Sequence, residues 1–169
     1  MGVFDFFVQE LAIDLGTANT LVIQNDQVVV EQPSIIAVNR MTGELVAVGH
    51  EAMMMHGKTH EDIKTIRPLQ DGVIADFNAA EQMLRSMISL VNDGKQYFTP
   101  HLRMVICIPS GITEVEKRAV KDSAERAGSK EVKLIHEPMA AAIGIGIDVE
   151  APNGNMIIDI GGGTTEVAV

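Results

Sequence analysis

The chain has 169 residues, of which 46% are apolar and 21% charged, and its formal net charge at pH 7 is −10. This length allows one large or two small domains with a sizeable core, and the negative charge argues against nucleic acid as a partner, because its phosphates would be repelled. The one cysteine, Cys107, excludes an internal disulfide and is expected to be a buried core residue in a reducing cytoplasm. No apolar run approaches the roughly 20 residues that a membrane-spanning helix needs, and the N-terminus lacks the features of a signal peptide.

Short apolar runs bounded by turn residues indicate strands in the first third of the chain. Strands are predicted at residues 11–13, 21–23, 28–30, 35–38 and 44–48. The first two flank the turn at 14–20 and predict a hairpin. From residue 34 to 66 the composition shifts to Met, His and Lys, which indicates a small inserted subdomain. Its methionine run, 53–55, either fills a small core or forms a contact surface for a neighbouring subunit.

Helices alternate with strands in the rest of the chain. Helices are predicted at 78–91, 113–127 and 139–146, and strands at 104–108 and 132–135. Asn78 with Glu81, and Thr113 with Glu116, have the spacing of N-terminal capping pairs. The run at 104–108 is continuously apolar, which is typical of a strand in a sheet covered on both faces.

Two turns rich in small residues lie near the two ends of the chain, DLGTANT at 14–20 and DIGGGTT at 159–165. Their glycines let main-chain N–H groups approach an anion closely, and their threonines add hydroxyl donors, so the turns suit a phosphate. The leading carboxylates, Asp14 and Asp159, would repel a bare phosphate unless a divalent cation lay between them. The predicted phosphate-binding residues are Gly16, Thr17, Ala18, Asn19, Thr20, Gly161, Gly162, Gly163 and Thr164.

These turns and three further segments carry a family resemblance. In chain order the segments are DLGTANT (14–20), RPLQDGVIADF (67–77), IPSGITEVEKR (108–118), EPMAAAIG (137–144) and DIGGGTTE (159–166). From about residue 8 to its last residue, the chain resembles the actin, sugar kinase and heat-shock chaperone ATPase superfamily. Within that superfamily it is most similar to the MreB family of bacterial actin-like rod shape-determining proteins.

The resemblance implies an α/β fold of the actin-like, ribonuclease H-like type. A mixed sheet flanked by helices would carry a small inserted α+β subdomain. Residues 1–33 and 67–148 would form the first actin-like subdomain, residues 34–66 the insertion, and residues 149–169 the start of a second subdomain. The second half of the family's fold would be truncated in this sequence.

The resemblance also implies an ATP site with Mg²⁺. The two hairpins would grip the nucleotide phosphates from opposite sides, and Asp14 and Asp159 would hold the metal ion. The implied catalytic residues are Glu137, Asp159 and Thr165, with Glu137 orienting the attacking water. The alternative for Glu137 is that its charge only stabilises the N-terminus of the following helix.

The resemblance further implies a homopolymeric filament on the inner face of the cytoplasmic membrane, working with membrane-bound cell-wall elongation proteins. Phe4, Phe6 and Phe7 near the N-terminus, and the adjacent Tyr97 and Phe98, are candidate membrane-insertion residues. Burying each such side chain in lipid would contribute about 1.5 to 3 kcal/mol at best, so a polymer would bind more firmly than one subunit. The alternative is that both groups pack on their own domain.

Two other functions remain open at this level. A small-molecule kinase of the same superfamily would share both turns but should carry a catalytic aspartate where Glu137 stands. A non-catalytic interaction module would bind partners without hydrolysing ATP. We expect negligible hydrolysis by residues 1–169 alone, because the implied second half would supply most of the adenosine pocket.

Overall fold

The computed structural model describes residues 8–58, 60–91 and 101–169. Within these ranges the first eight strands are β1 (Val8–Leu15), β2 (Asn19–Gln24), β3 (Gln27–Pro33), β4 (Ile36–Asn39), β5 (Leu45–Val48), β6 (Ile63–Ile66), β7 (Leu69–Gln70) and β8 (Val73–Ile74). The remaining strands are β9 (His101–Ile108), β10 (Glu131–His136), β11 (Ile157–Ile160) and β12 (Thr165–Ala168). The helices are α1 (His50–Met55), α2 (Phe77–Val91), α3 (Glu114–Arg126) and α4 (Glu137–Gly144).

A five-stranded mixed sheet with the order β10-β9-β1-β2-β3 forms the main body. β1, β2 and β3 pair antiparallel, whereas β9 pairs parallel to both β1 and β10. The carboxyl ends of the three parallel strands therefore meet at one edge, where α/β folds commonly place their ligands. Asp14 pairs with Cys107 at this edge, and Glu137 directly follows β10.

The main core lies between one face of this sheet and helices α2 and α3. Leu11 and Ile13 of β1 are buried in one cluster with Met83 and Met87 of α2 and Val120 of α3. The apolar positions of α2 recur every three or four residues, so one side of the helix is buried along its length. This packing fixes the strand ends on which the site is built.

The opposite face of the sheet is partly exposed in the described part of the chain. In β9, Met104 and Ile106 are buried, but Val105 between them is 39% exposed. The prediction of a sheet covered on both faces, made from the continuous apolar run, is therefore wrong for these residues. A run of β-branched and apolar side chains does not by itself say what lies on each face.

The inserted segment forms its own sheet, with the order β5-β4-β6. Its small core includes Ile35 of the adjoining segment and Ala52 of α1. Met55 packs against this core, but Met54 is 71% exposed. The core-filling interpretation of the methionine run is thus right for Met55 and wrong for Met54.

The helix starts agree only in part with the predicted caps. Thr113 and Glu116 form the predicted capping box, in which the Thr113 N–H donates to Glu116 Oε2 at 2.7 Å and the Glu116 N–H donates to Thr113 Oγ1 at 3.3 Å. The Asn78 and Glu81 pair is wrong, because α2 already begins at Phe77 and Asp76 Oδ1 accepts from the Ala79 N–H at 3.0 Å. Glu137 and Pro138 open α4, and the proline lies in the first helical turn, where it is well placed.

Strands β11 and β12 form a separate antiparallel hairpin beside α4. Ile158 and Val167 face each other across it, and both are exposed together with Ile160. No helix in residues 8–58, 60–91 and 101–169 is long and apolar enough to cross a membrane. The candidate membrane residues Phe4, Phe6, Phe7, Tyr97 and Phe98 lie outside the described residues.

Candidate functional site

The two glycine turns predicted from the sequence meet in space. A Cβ built on Gly162 would lie 2.6 Å from the Cβ of Ala18, and one built on Gly163 would lie 2.7 Å from Thr17 Oγ1. Real Cβ atoms do not approach other atoms so closely, so any larger residue at 162 or 163 would push the turns apart. The glycines therefore allow the β1–β2 and β11–β12 turns to touch.

An open cleft of about 460 Å³ lies along these turns. Both predicted metal ligands, the predicted catalytic residue Glu137 and most of the predicted phosphate-binding residues line it. Those lining residues are Asp14, Gly16, Thr17, Ala18, Asn19, Glu137, Asp159, Gly161, Gly162, Gly163 and Thr164. The structure thus brings together residues from two turns that are more than 130 positions apart in the chain.

Thr20 does not line the cleft. Its side chain is fully buried, and its hydroxyl lies 2.9 Å from Ser34 Oγ. The prediction that the Thr20 side chain faces a phosphate is therefore wrong. The residue belongs to the buried side of β2, which it shares with Val22 two positions later.

Thr165 is exposed at the start of β12 and also lies outside the cleft lining. The next residue, Glu166, instead ties this hairpin to the main body. Its two carboxylate oxygens accept from the Ser110 N–H at 2.7 Å and from the Ser110 hydroxyl at 3.0 Å. Sequence reasoning gave neither Glu166 nor Ser110 a role, because their contact joins segments 56 residues apart.

Gly72 is a third glycine at the site. It follows Asp71 in the tight β7–β8 turn, and both residues have positive φ. Its N–H donates to Thr17 Oγ1 at 2.8 Å, and a Cβ there would lie 2.6 Å from Pro109 and 3.0 Å from Thr164. The Asp-Gly pair is a sequence signal for such a hairpin, although the sequence gives no sign that the turn reaches the site.

Acidic side chains are concentrated in the cleft. Burial raises the pKa of Asp14, and the neighbouring Asp159 carboxylate raises it further. Burial raises the pKa of Glu137 to about 7, and Glu166, Asp14 and Asp159 act in the same direction. The pKa shifts of Asp14 and Glu137 show that negative charge is costly here, because each carboxylate is partly desolvated and lies near others.

This donor set fits a magnesium ion held together with phosphate. In the described part of the chain, no three His, Cys, Asp or Glu side chains are grouped so as to hold a metal ion by themselves. Mg²⁺ typically keeps several waters and takes one or two carboxylates plus phosphate oxygens. Asp14 and Asp159 supply two carboxylates of this kind beside main-chain groups suited to phosphate.

Cys107 lines the same cleft and is only half-buried, so the prediction of a core position for it is wrong. It follows Ile106 on β9, and alternation along the strand turns its side chain toward Asp14 instead of toward the core. Burial raises the pKa of its thiol to about 12, with further contributions from the carboxylates of Asp14, Glu137 and Asp159.

Comparison with known proteins identifies the family. A family profile described as "MreB/Mbl protein" matches residues 8–169. The chain belongs to the MreB/Mbl family. The cell shape-determining protein MreB of Escherichia coli (strain K12) is 48% identical over 168 residues, which cover 96% of this chain and 48% of that protein. The sequence therefore spans about half the length of the curated MreB relatives that it matches.

Solved structures confirm the actin-like α/β fold class. MreB5 of Spiroplasma citri bound to ADP is 42% identical, with a TM-score of 0.82 over 94% of this chain and 47% of that one. The same protein has also been solved bound to AMPPNP, with a TM-score of 0.81 and 41% identity. A MamK double helical filament has the same fold, with a TM-score of 0.76 at 22% identity.

Proposed function

We propose that this chain provides the phosphate-binding side of an ATP site in a filament-forming, cell shape-determining protein of the MreB/Mbl family. The observation that carries the proposal is the meeting of two glycine turns, each led by an aspartate, along one cleft. The bound ADP and AMPPNP of the MreB5 structures support an adenine nucleotide as the ligand.

Main-chain N–H groups of the two turns would bind the phosphate oxygens, since glycine leaves them accessible. Asp14 and Asp159 would hold Mg²⁺, mostly through its water ligands. An ion held there would neutralise the charge of the bound phosphates. The cation would also stabilise the ionised carboxylates of the cleft, which burial and mutual repulsion destabilise.

Glu137 would accept a proton from, or orient, the water that attacks the γ-phosphate. A carboxyl group with a pKa of about 7 is well matched to proton transfer at neutral pH. We assign Thr164 as its partner in preference to Thr165, because Thr164 lines the cleft and Thr165 does not. Hydrolysis would be slow and would set the angle between the halves of the complete fold, and hence the affinity for the next subunit.

The filament would lie on the inner face of the cytoplasmic membrane and act with membrane-bound cell-wall elongation proteins. The aromatic groups at Phe4, Phe6 and Phe7 and at Tyr97 and Phe98 are the proposed insertion points. The net charge of −10 favours hydrophobic insertion over electrostatic attraction to anionic lipid.

A sedimentation and binding experiment tests these proposals. The chain is incubated with vesicles of phosphatidylethanolamine and phosphatidylglycerol, with and without Mg-ATP, and pelleting, nucleotide binding and phosphate release are measured. We expect nucleotide binding and vesicle binding but negligible hydrolysis. Asp14→Ala should remove only nucleotide binding, and deletion of residues 1–7 should weaken only vesicle binding, because Tyr97 and Phe98 remain as a second insertion point.

Each outcome points to a different function. Vesicle binding without nucleotide binding would leave a non-catalytic interaction module, and a burst of ADP that depends on an added sugar would indicate a small-molecule kinase. Rapid ATP hydrolysis by this chain alone would contradict the expectation that the complete fold is needed for turnover.

A further inference from the structure

Ser34 lies where β3 leads into the inserted segment, and it is fully buried. It makes two hydrogen bonds to the main chain of the first glycine turn. The Ser34 hydroxyl donates to the Gly16 carbonyl at 2.6 Å, and the Ser34 N–H donates to the Ala18 carbonyl at 2.9 Å. Ser34 therefore holds the carbonyl groups of two peptides in this turn.

Thr20 completes this arrangement. Its hydroxyl lies 2.9 Å from Ser34 Oγ, and either oxygen could in principle donate. A serine hydroxyl has one hydrogen, and a carbonyl oxygen can only accept. Since the Ser34 hydrogen goes to Gly16, Thr20 must donate to Ser34, and the two hydroxyls form a relay that ends at the Gly16 carbonyl.

The relay determines where the N–H groups of the same peptides point. No described peptide bond is cis, so the C=O and N–H of each peptide point in opposite directions across its plane. Holding the Gly16 carbonyl toward Ser34 turns the Thr17 N–H away from Ser34, and holding the Ala18 carbonyl does the same for the Asn19 N–H. Thr17 and Asn19 line the cleft, whereas Ser34 does not.

We propose that Ser34 is a positioning residue for anion binding, which aims the N–H groups of Thr17 and Asn19 into the cleft by holding the carbonyls of Gly16 and Ala18. This inference rests on the proposed nucleotide function and extends it to a residue outside the cleft. Ser34 touches no ligand itself and acts through the main chain.

Glycine is what makes such a restraint necessary. Gly16 can adopt backbone conformations that other residues cannot, so the peptide between Gly16 and Thr17 can rotate unless it is held. In Ser34→Ala the Gly16 carbonyl and the Thr20 hydroxyl both lose their partner in a buried site. The turn would then populate conformations in which the Thr17 N–H no longer faces the cleft.

The test follows the amide resonances of Thr17 and Asn19 by NMR while Mg-ADP is added to the 169-residue chain. In the wild type we expect both amides to shift and saturate. In Ser34→Ala we expect about tenfold weaker binding and a reduced shift at Thr17, because a hydrogen bond to a charged group is lost or weakened.

Ser129→Ala is the matched control. Ser129 is also a buried serine whose hydroxyl lies within hydrogen-bonding distance of main-chain carbonyls, 3.2 Å from that of Leu102 and 2.9 Å from that of Glu131, but it does not line the cleft. We expect it to lower stability without changing Mg-ADP affinity. Equal weakening by the two substitutions would overturn the proposal, since it would reduce the effect to general destabilisation.

Thr20→Val keeps the test decisive if Ser34→Ala does not fold. It removes the first bond of the relay while preserving side-chain shape, and we expect roughly threefold weaker binding that Thr20→Ser restores. If the wild type binds Mg-ADP and neither Ser34→Ala nor Thr20→Val weakens that binding, the role of Ser34 is overturned and the proposed function stays intact. Failure of the wild type to bind Mg-ADP would instead overturn the proposed function itself.

Discussion

Glu137 has the most informative environment of any single residue in the cleft. Its carboxyl group is partly buried, and Glu166, Asp14 and Asp159 add negative potential around it. Burial is the largest cause of its raised pKa, so the protonated form is favoured even before any neighbour is considered. The same environment that suits proton transfer therefore costs stability when the group is ionised.

This cost predicts a pH dependence. Folding raises the pKa of Glu137 from 4.5 to about 7, so the folded protein favours the protonated carboxyl. The stability that this protonation contributes is fully present below pH 4.5 and is lost as the pH rises through 7. Glu137→Gln cannot ionise, and its free energy of unfolding should exceed that of the wild type by about 1 kcal/mol at pH 8.5 once partial exposure is allowed for.

Urea unfolding of both proteins between pH 6 and pH 8.5 measures this difference. Glu61→Gln, at an exposed position in the inserted segment, serves as the control and should show no growing advantage. A difference between Glu137→Gln and the wild type that stays constant across this range would contradict the raised pKa.

Residue roles were predictable where chemistry and spacing coincide. Asp14 and Gly162 stand in recognisable turns, and both line the cleft. Ser34 could not be found in this way, because its bonds reach 14 to 18 residues back along the chain. The buried position of Thr20 was predictable in principle, since it shares the buried face of β2 with Val22, but its place in the motif suggested a phosphate-binding role instead.

At the scale of elements, the β11–β12 hairpin depends on a small number of contacts with the rest of the molecule. It packs beside α4 and touches the first turn through its glycines. Glu166 adds two hydrogen bonds to Ser110, in the loop that follows β9. We therefore regard the Glu166–Ser110 contact as the clamp that holds the second turn against the first.

Glu166→Ala should loosen this hairpin selectively. Losing two hydrogen bonds to a carboxylate should speed amide hydrogen exchange in β11 and β12 by about tenfold or more. Exchange in β1 and β9 should not change, because their core is independent of the clamp. Glu166→Gln is the conservative control, since its amide can keep both contacts if the Ser110 hydroxyl accepts.

Equal changes in exchange across the five-stranded sheet and the β11–β12 hairpin would show that Glu166 stabilises the whole fold and not this hairpin alone.

The clamp also illustrates the limit of sequence reasoning about elements. The capping box at Thr113 lies within four residues and was predictable, whereas the exposure of Val105 depends on elements far away in the chain.

At the scale of the whole molecule, apolar side chains remain exposed on the β11–β12 hairpin. Ile158, Ile160 and Val167 lie in two adjacent strands, and Ile160 is 76% exposed. The sequence spans about half the length of its MreB relatives, and contiguous apolar surface of this kind favours association. The negative net charge opposes association, but salt screens it.

We therefore expect this chain to self-associate with increasing concentration at physiological salt. Ile160→Glu should shift the equilibrium toward the monomer in sedimentation velocity, by about tenfold in the association constant, because it places a charge in the contact. Val115→Glu is the matched control, since Val115 is also highly exposed but lies on α3. Equal effects of both substitutions would assign the change to net charge.

The position of Cys107 has one further consequence. It is the chain's single thiol and lines the cleft, and its pKa is about 12 because the thiol is partly buried and because three carboxylates repel the thiolate. A cation that neutralised those carboxylates would lower this pKa and increase the small fraction of reactive thiolate. The rate of alkylation at Cys107 would then report metal occupancy of the cleft. This measurement needs no engineered label and does not depend on whether ATP is hydrolysed.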